Sequence, residues 1–343
     1  MNSVPRTRMF AEASEAGARV RDQLARNREA LASLGEALRA KGPRAVVTCA
    51  RGSSDHAATF AKYLIETRLG VLTASAAPSV ASVYRSRQDL GDCVFLAISQ
   101  SGRSPDLLTA TEAAREAGAT VIALVNDEDA PLAAAAHYPI PLSAGVEESV
   151  AATKSYIAAL AAIVHLVAEW SNDSALLGAL TRVPELLEKA FELDWTSALP
   201  PLEKATNLYV MARGPGLAIA QEAALKCKET CALHAEAFSS AEVRHGPQAL
   251  LREGMPALLF IQDDETRAGT EALALELVER GVDVIQAGGE VRGARTLPTL
   301  DAHPLLQPLL EIQSFYRLAN ALALARGCDP DRPPHLRKVT ETR

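Results

Sequence analysis

The feature that most constrains the fold is a unit of alternating strand and helix signals that occurs twice along the chain. In each copy a short apolar run leads into the turn Ala-Arg-Gly and then into a helix. The first turn follows Cys49 and the second follows Met211. The copies are offset by 162 residues, from Arg51 to Arg213. This repetition indicates two copies of one α/β unit in preference to two unrelated domains.

Six short apolar runs predict the strands of these units. They cover 45–49, 94–98 and 120–125 in the first copy and 207–211, 256–261 and 282–287 in the second. Strands that alternate with helices predict a parallel sheet covered by helices on both faces. We therefore expect an α/β fold with two such domains in tandem. The expected organisation is a helical segment over 1–34, a first domain over 35–175, a second domain over 195–328 and a tail over 329–343.

Charge and hydropathy limit the partners and the compartment that we expect. The 343 residues include 35 Lys and Arg against 42 Asp and Glu, a net charge of −7. Nucleic-acid binding normally needs a basic surface, so we expect no nucleic-acid partner. The longest apolar runs are shorter than the ~20 residues of a membrane span, and the first residues carry no apolar stretch typical of a signal peptide. We expect a cytoplasmic protein without membrane contact.

The cysteines predict neither a disulfide nor a metal site. Only Cys227 and Cys231 lie near each other among the five, and no second pair of Cys or His follows at ligand spacing. The glycine fingerprint of dinucleotide-binding folds is absent from both strand-to-helix turns. We therefore expect no cofactor.

The most informative loop is Ser99-Gln100-Ser101-Gly102-Arg103-Ser104. It lies between a predicted strand and the N-terminus of a predicted helix, where α/β folds bind ligands and where backbone N–H groups favour anions. Ser53 and Ser54 occupy the equivalent turn of the preceding strand. The loop is also compatible with an ordinary serine-rich turn that caps a helix. The second copy carries Gln262-Asp263-Asp264 at this place, and its carboxylates would repel a phosphate.

A second signal is the spacing of Glu222, Lys226 and Glu229 on a predicted helix, which places them on one helical face. This spacing is equally typical of a solvated ion-pair face. The run that follows is rich in ionisable residues and includes His245, which precedes Gly246-Pro247 on a stiff turn. A histidine within reach of paired carboxylates is a candidate general acid or base.

Together, four motifs resemble those of the sugar isomerase (SIS) family over nearly the whole chain. They are Ser99-Gln100-Ser101-Gly102, the helix 222–229, Glu242-Val243-Arg244-His245-Gly246-Pro247 and the tail Leu336-Arg337-Lys338-Val339-Thr340. Within the family the resemblance is to the isomerase half of glucosamine-6-phosphate synthase and to SIS-type glucosamine-6-phosphate deaminases.

The resemblance also implies roles for individual residues. It implies a base in Glu229, a ring-opening residue in His245 supplied by the neighbouring subunit of a dimer, and a tail lysine in Lys338 that closes over the substrate. Glu222 and Lys226 would support the site. The phosphate would be held by Ser53, Ser54, Ser99, Gln100, Ser101 and Ser104, and the sugar by the backbone of Val150 and Ala151. Ala152 stands where the synthases have a serine.

These residues could open a sugar ring and move a proton between C1 and C2, which needs no redox cofactor. The sequence shows no glutaminase segment with a nucleophilic cysteine near its start, so we expect release of ammonia from glucosamine 6-phosphate to give fructose 6-phosphate. A synthase-like isomerase, a deaminase or deglycase for galactosamine or fructosamine phosphates, and a non-enzymatic sugar-phosphate sensor remain alternatives. The apolar helices predicted at 151–170 and 303–326 exceed what a small domain should expose, which predicts a homodimer.

Overall fold

The computed structural model describes residues 7–338 and contains two parallel sheets of five strands each. The first sheet consists of β1 (Ala45–Cys49), β2 (Leu72–Ser75), β3 (Cys93–Ser99), β4 (Thr120–Val125) and β5 (Tyr138–Pro141). The second consists of β6 (Asn207–Ala212), β7 (His234–Ser239), β8 (Pro256–Phe260), β9 (Asp283–Ala287) and β10 (Arg295–Leu297).

The two sheets have the same topology. Their strand orders are β2-β1-β3-β4-β5 and β7-β6-β8-β9-β10, and every pairing in both is parallel. Each strand of the first sheet therefore has its counterpart five places later in the second. The predicted α/β fold with two copies of one unit is confirmed.

Helices provide most of the crossover connections that parallel pairing requires, although 3₁₀ turns join β7 to β8 and a loop joins β9 to β10. In the first half the helices are α1 (Arg8–Ser14), α2 (Ala16–Lys41), α3 (Ser53–Leu69), α4 (Ser79–Ser82), α5 (Pro105–Glu116), α6 (Pro131–Ala135), α7 (Lys154–Ser171) and α8 (Ser174–Leu180). In the second half they are α9 (Val183–Glu192), α10 (Leu199–Glu203), α11 (Gly216–Cys231), α12 (Arg267–Glu279) and α13 (Gln307–Ala325). Short 3₁₀ turns occur at Thr196–Ala198, Glu242–His245 and Pro247–Leu250.

The described chain divides into two compact units. The first-sheet unit contains Ala18–Glu147, Lys154–Pro184 and 337–338, and the second-sheet unit contains 7–17, Glu148–Thr153 and Glu185–Leu336. The short N-terminal helix α1 and the loop 148–153 thus belong to the unit of the second sheet. In that unit α1 packs against α13.

Burial explains why the interior strands are apolar. Every residue of β3 and β8 is buried, and β4, β6 and β9 are buried at all but their first residue. A strand with helices on both sheet faces has no solvent-facing side, so its sequence becomes a continuous apolar run.

The two long apolar helices are buried within the chain, contrary to the expectation that they would expose apolar surface. In α7 only Glu169 and Ser171 escape burial, and most of α13 is buried as well. Their sequences therefore do not by themselves require a second subunit. Helix α7 also begins at Lys154, three residues later than predicted, because residues 148–153 form a loop. In the described part of the chain, no helix is long and apolar enough to span a bilayer.

Candidate functional site

Two turns of the first-sheet unit lie at its topological switch point. Strand β1 pairs with β2 on one side and with β3 on the other, so the chain leaves β1 and β3 toward opposite edges of the sheet. Ligands of open α/β sheets bind outside the carboxyl ends of the strands at such a point. Helix α3 begins there at Ser53 and α5 at Pro105, which brings both predicted serine turns to one edge.

Two serines of the loop after β3 accept hydrogen bonds from backbone N–H groups of the same loop. Ser99 Oγ accepts the N–H of Gly102 at 3.0 Å, and Ser101 Oγ accepts the N–H of Arg103 at 3.4 Å. Gly102 has φ +62°, and a Cβ there would lie 2.6 Å from the Cβ of Ala130. Only glycine fits this conformation and this space. Ser99 is buried, whereas Gln100, Ser101 and Ser104 are half-buried at the mouth of the loop.

Basic side chains flank these turns and are held by carboxylates. Arg51 donates to the buried carboxylate of Asp106 at 2.6 and 3.0 Å, and Arg103 donates to Asp127 at 2.8 and 3.2 Å. The pair with Asp106 joins the turn after β1 to the first turn of α5. The turns 51–54 and 99–104 therefore lie next to each other, and both present hydroxyls and backbone N–H groups at a helix N-terminus.

The equivalent edge of the second sheet is filled by its own side chains. Gln262 Nε2 donates to Glu311 Oε2 at 2.7 Å, and a Cβ at Gly216 would lie only 2.0 Å from Gln262 Oε1. Burial raises the pKa of Glu311 to about 8, against the lowering effect of the hydrogen bond from Gln262. Asp263 pairs with Arg267 at 2.9 Å. This turn holds carboxyl groups where the first repeat holds serines.

Helix α11 carries a buried ion cluster. Lys226 Nζ lies 3.3 Å from Glu222 Oε1 and 2.6 Å from Glu229 Oε2. The side chains of Glu222 and Lys226 are fully buried, while that of Glu229 is 20% exposed. Tyr316 of α13 donates its hydroxyl to Glu222 Oε1 at 3.2 Å. The predicted helical face exists, and its burial excludes the solvated ion-pair interpretation.

The charge state of Lys226 follows from its neighbours. Burial alone would favour the neutral amine, but the charges of Glu222 and Glu229 and their hydrogen bonds outweigh it and raise the pKa of Lys226 above its ordinary value. The ammonium therefore persists at neutral pH and holds the Glu229 carboxylate in one orientation.

Glu229 borders a cavity of about 600 Å³ in the second-sheet unit. The last turns of α11 form one wall, and the segment 327–336 forms the other through Pro333, Pro334 and Leu336. Arg326 anchors the end of α11 by donating to the carbonyl oxygen of Cys231 at 2.7 Å. A cavity of this size accommodates a small metabolite.

His245 ends a 3₁₀ turn and is exposed. Arg244 fastens this turn to α12 through two hydrogen bonds to Glu276, at 2.8 and 3.0 Å. Gly246 has φ +135°, which residues with a side chain rarely adopt. Within residues 7–338, no hydrogen bond or ion pair joins His245 to Glu229.

The remaining predicted site residues lie in a loop and in the tail. Ala151 is buried and Val150 half-buried in the loop 148–153. Lys338 Nζ contacts Glu147 Oε2 at 3.0 Å, and Glu147 also accepts the hydroxyl of Ser155 at 2.6 Å. The rest of the tail motif, Val339 and Thr340, lies outside the described residues.

The close pair of cysteines lies in the core. Burial raises the pKa of Cys231 to about 11 and raises that of Cys227 well above its ordinary value, so both are thiols at neutral pH. Across the described residues, 7–338, no group of three or more His, Cys, Asp or Glu side chains is arranged to hold a metal ion.

Sequence reasoning missed the partners that hold the predicted residues. Tyr316, Glu147 and Asp106 contact Glu222, Lys338 and Arg51, but each lies far along the chain from its partner. Tyr316 lies in α13 beside other buried polar side chains, among them Gln313 and Ser314, so its sequence position does not single it out as the partner of Glu222.

Comparison with known proteins identifies the family. The SIS domain family matches residues 41–169 and 201–286, more than half of the chain and one segment in each repeat. The chain belongs to the SIS domain family. The resemblance drawn from four motifs is therefore confirmed at the level of the family.

Among curated SIS proteins, the glutamine–fructose-6-phosphate aminotransferase (isomerizing) of Symbiobacterium thermophilum is 32% identical over 315 residues. That match covers 86% of this chain and 51% of the relative. The chain thus spans about half the length of the curated relatives it matches.

Two solved SIS structures extend the comparison. A protein from Silicibacter pomeroyi, provisionally named a phosphosugar isomerase, is 42% identical with a TM-score of 0.90, covering 95% of this chain and 100% of its own. A glucosamine-6-phosphate deaminase from Thermotoga maritima has a TM-score of 0.79 at 21% identity, covering 98% and 100%. The second likeness concerns the fold alone.

Proposed function

We propose that this SIS protein is a glucosamine-6-phosphate deaminase, which converts glucosamine 6-phosphate and water to fructose 6-phosphate and ammonia. The observation that carries the proposal is the buried cluster on α11. Two of its charges are fully buried, and the third, Glu229, reaches a cavity of metabolite size. Burying charges is costly, and a purely structural helix would be as stable with apolar residues there.

The proposed reaction assigns one proton transfer to Glu229. After the ring opens, the Glu229 carboxylate removes the proton from C2 and returns it to C1. One proton of the C2 amine passes to O1, so that the C1 aldehyde becomes an alcohol and the amine becomes an imine. Water adds to C2 of the imine and ammonia leaves, which gives the ketone. Lys226 remains protonated and keeps the Glu229 side chain oriented for both transfers.

The other site residues would bind the substrate. The hydroxyls and N–H groups at 53–54 and 99–104 suit a dianionic phosphate, and the backbone of Val150 and Ala151 would contact the sugar. His245 would open the ring, supplied by the second subunit of a homodimer. Lys338, beside Glu147 in this structure, would close over the substrate.

The synthase-type reaction is the second candidate, because the curated relatives carry that name. The same residues would serve the isomerase half of such an enzyme. The deaminase is preferred because Ala152 stands where the synthases have a serine and because the turns at 51–56 and 99–106 resemble those of the deaminases.

The first experiment measures ammonia and fructose 6-phosphate separately after the protein is mixed with a panel of amino-sugar phosphates. Glu229→Gln keeps the shape of the side chain and removes the base, so kcat should fall about 10²–10⁴-fold with little change in KM. Glu279→Gln, on the exposed face of α12, is the matched control and should leave both constants unchanged.

Each outcome assigns a reaction. Equimolar ammonia and fructose 6-phosphate support the deaminase. Consumption of glutamine that depends on fructose 6-phosphate would instead establish the synthase. No turnover of any amino-sugar phosphate would favour a sugar-phosphate sensor.

The assignment of His245 to the partner subunit has its own test. Glu229→Gln and His245→Ala proteins should each lose most of their activity, and subunit exchange between them should restore part of it through hybrid sites. Verified heterodimers that stay inactive would place both residues in the site of one subunit.

A further inference from the structure

A buried carboxylate holds the loop that the proposed function assigns to the sugar. Glu12, on α1, is only 6% exposed. It accepts the backbone N–H of Glu148 at 2.6 Å and that of Ser149 at 3.1 Å, and it also accepts the Ser149 hydroxyl. Within residues 7–338 these three donors are the only hydrogen-bond partners of the Glu12 side chain. All of them belong to the first two residues of the loop 148–153.

Helix α1 is itself fixed at both ends within the second-sheet unit. The carboxylate of Asp331 accepts the backbone N–H groups of Arg8 and Met9, each at 2.7 Å. At the other end, Gln313 of α13 donates to the carbonyl oxygen of Ala13 at 2.9 Å. Asp331 lies in the segment 327–336 that walls the Glu229 cavity. One short helix therefore bridges the cavity wall and the loop 148–153.

The exposed contact between the same two elements cannot replace Glu12. Arg8 and Glu148 form an ion pair at 3.0 Å, but their side chains are 55% and 60% exposed. Exposed pairs contribute little, since water and salt screen them. The hydrogen bonds to Glu12 are buried and charge-assisted, which makes them shorter and stronger.

We propose that Glu12 is a positioning residue, which fixes the backbone of 148–151 so that Val150 and Ala151 meet the sugar in one geometry. The role rests on the proposed function, because that function assigns the sugar to this loop. Glu12 acts through the loop and does not touch the substrate. Its loss should affect sugar binding without affecting phosphate binding, because the phosphate residues belong to other segments of the chain.

The test compares Glu12→Gln with Glu148→Gln in the full-length protein. Glutamine has the shape of glutamate, but its NH₂ group cannot accept the loop donors. Amide exchange at Glu148 and Ser149 should become at least about tenfold faster. KM for the amino-sugar phosphate should rise about ten- to a hundredfold, while the inhibition constant of inorganic phosphate stays constant. Glu148→Gln removes only the exposed pair and should change none of these quantities.

Ser149→Ala provides a second variant that does not remove a carboxylate. It should raise KM less than Glu12→Gln, and the two effects should not add in the double variant, because both break one contact. Unchanged exchange, unchanged KM or simple additivity would overturn the role. An equal loss of phosphate inhibition in Glu12→Gln would do the same, since it would mean a general loss of structure.

If the unmodified protein turns over no amino-sugar phosphate, the proposed function fails and this role fails with it. An active protein with an unaffected Glu12→Gln variant removes only this role.

Discussion

The helix that follows the first strand of each repeat differs between the two repeats in one decisive respect. At the offset of 162 residues, Phe60 and Leu64 of α3 stand where α11 has Glu222 and Lys226. All four side chains are buried. The first repeat thus fills this position with apolar core residues, whereas the second fills it with a buried ion pair.

The loops that follow β3 and β8 also differ between the two repeats. The first repeat presents hydroxyls at 99–104, and the second presents Gln262, Asp263 and Asp264. Each repeat has therefore specialised a different part of one shared topology. The comparison teaches that the sheet and its connections do not determine the chemistry, which depends on a few side chains placed on them. Under the proposed function, the first repeat would bind the phosphate and the second would carry the base.

The largest expected effect comes from making α11 resemble α3. Lys226→Met alone leaves Glu222 buried without its cation, which should lower the free energy of unfolding by about 3–5 kcal/mol. Glu222→Leu combined with Lys226→Met removes both charges and should restore most of that stability while the protein stays inactive. The urea midpoints of the two variants measure the difference.

Lys228→Met is the control for this comparison, because Lys228 is exposed on the same helix. Its unfolding free energy should stay within about 0.5 kcal/mol of the starting value. A double variant as unstable as Lys226→Met would contradict the comparison, since it would mean that the ion pair is needed for the fold. An active double variant would remove the cluster from the mechanism.

The strands show how far the sequence alone predicts the fold. All six strands predicted from apolar runs are interior strands, namely β1, β3, β4, β6, β8 and β9. The four strands that the prediction missed are β2, β5, β7 and β10, the two edges of each sheet. Three of these edge strands have only three or four residues, and all of them carry polar residues or proline, so they lack the apolar run that reveals interior strands.

The sequence also predicts only part of the candidate site. The spacing of Glu222, Lys226 and Glu229 gave their shared face, because helical periodicity is local. Their burial was not predictable, since it depends on α13 and on Tyr316, about ninety residues away. The hold of Glu12 on the loop at 148 is equally non-local. Periodicity within one element therefore predicts which residues share a face, and only tertiary packing decides what that face meets.

A smaller effect is expected from substitutions in the serine loop of the first repeat. Ser101→Ala removes a hydroxyl that would bond a charged phosphate, which should weaken substrate binding by about 1.5–3 kcal/mol and raise KM accordingly. Ser101→Asp imitates the second repeat and should weaken it further, because a carboxylate repels phosphate. Thr109→Ala removes a hydroxyl from an exposed position of α5 and should leave KM unchanged. Circular dichroism should stay constant throughout, so an unaltered KM in both Ser101 variants would show that phosphate binds elsewhere.

The smallest effect is expected from the reciprocal substitution, Asp263→Ser, in the second repeat. Asp263 forms a largely exposed pair with Arg267, so its loss should change the free energy of unfolding by no more than about 0.5 kcal/mol. No phosphate site should arise, because the side chain of Gln262 still occupies the space beside Gly216 and Asp264 still places a carboxylate in the turn. Calorimetry with inorganic phosphate measures this best in the Ser101→Asp background, where binding by the first repeat is suppressed. Heat of binding that appears only after Asp263→Ser would contradict this expectation, because a single residue would then account for the difference in phosphate binding between the two repeats. Its absence would mean that the second repeat is closed to phosphate by packing as well as by charge.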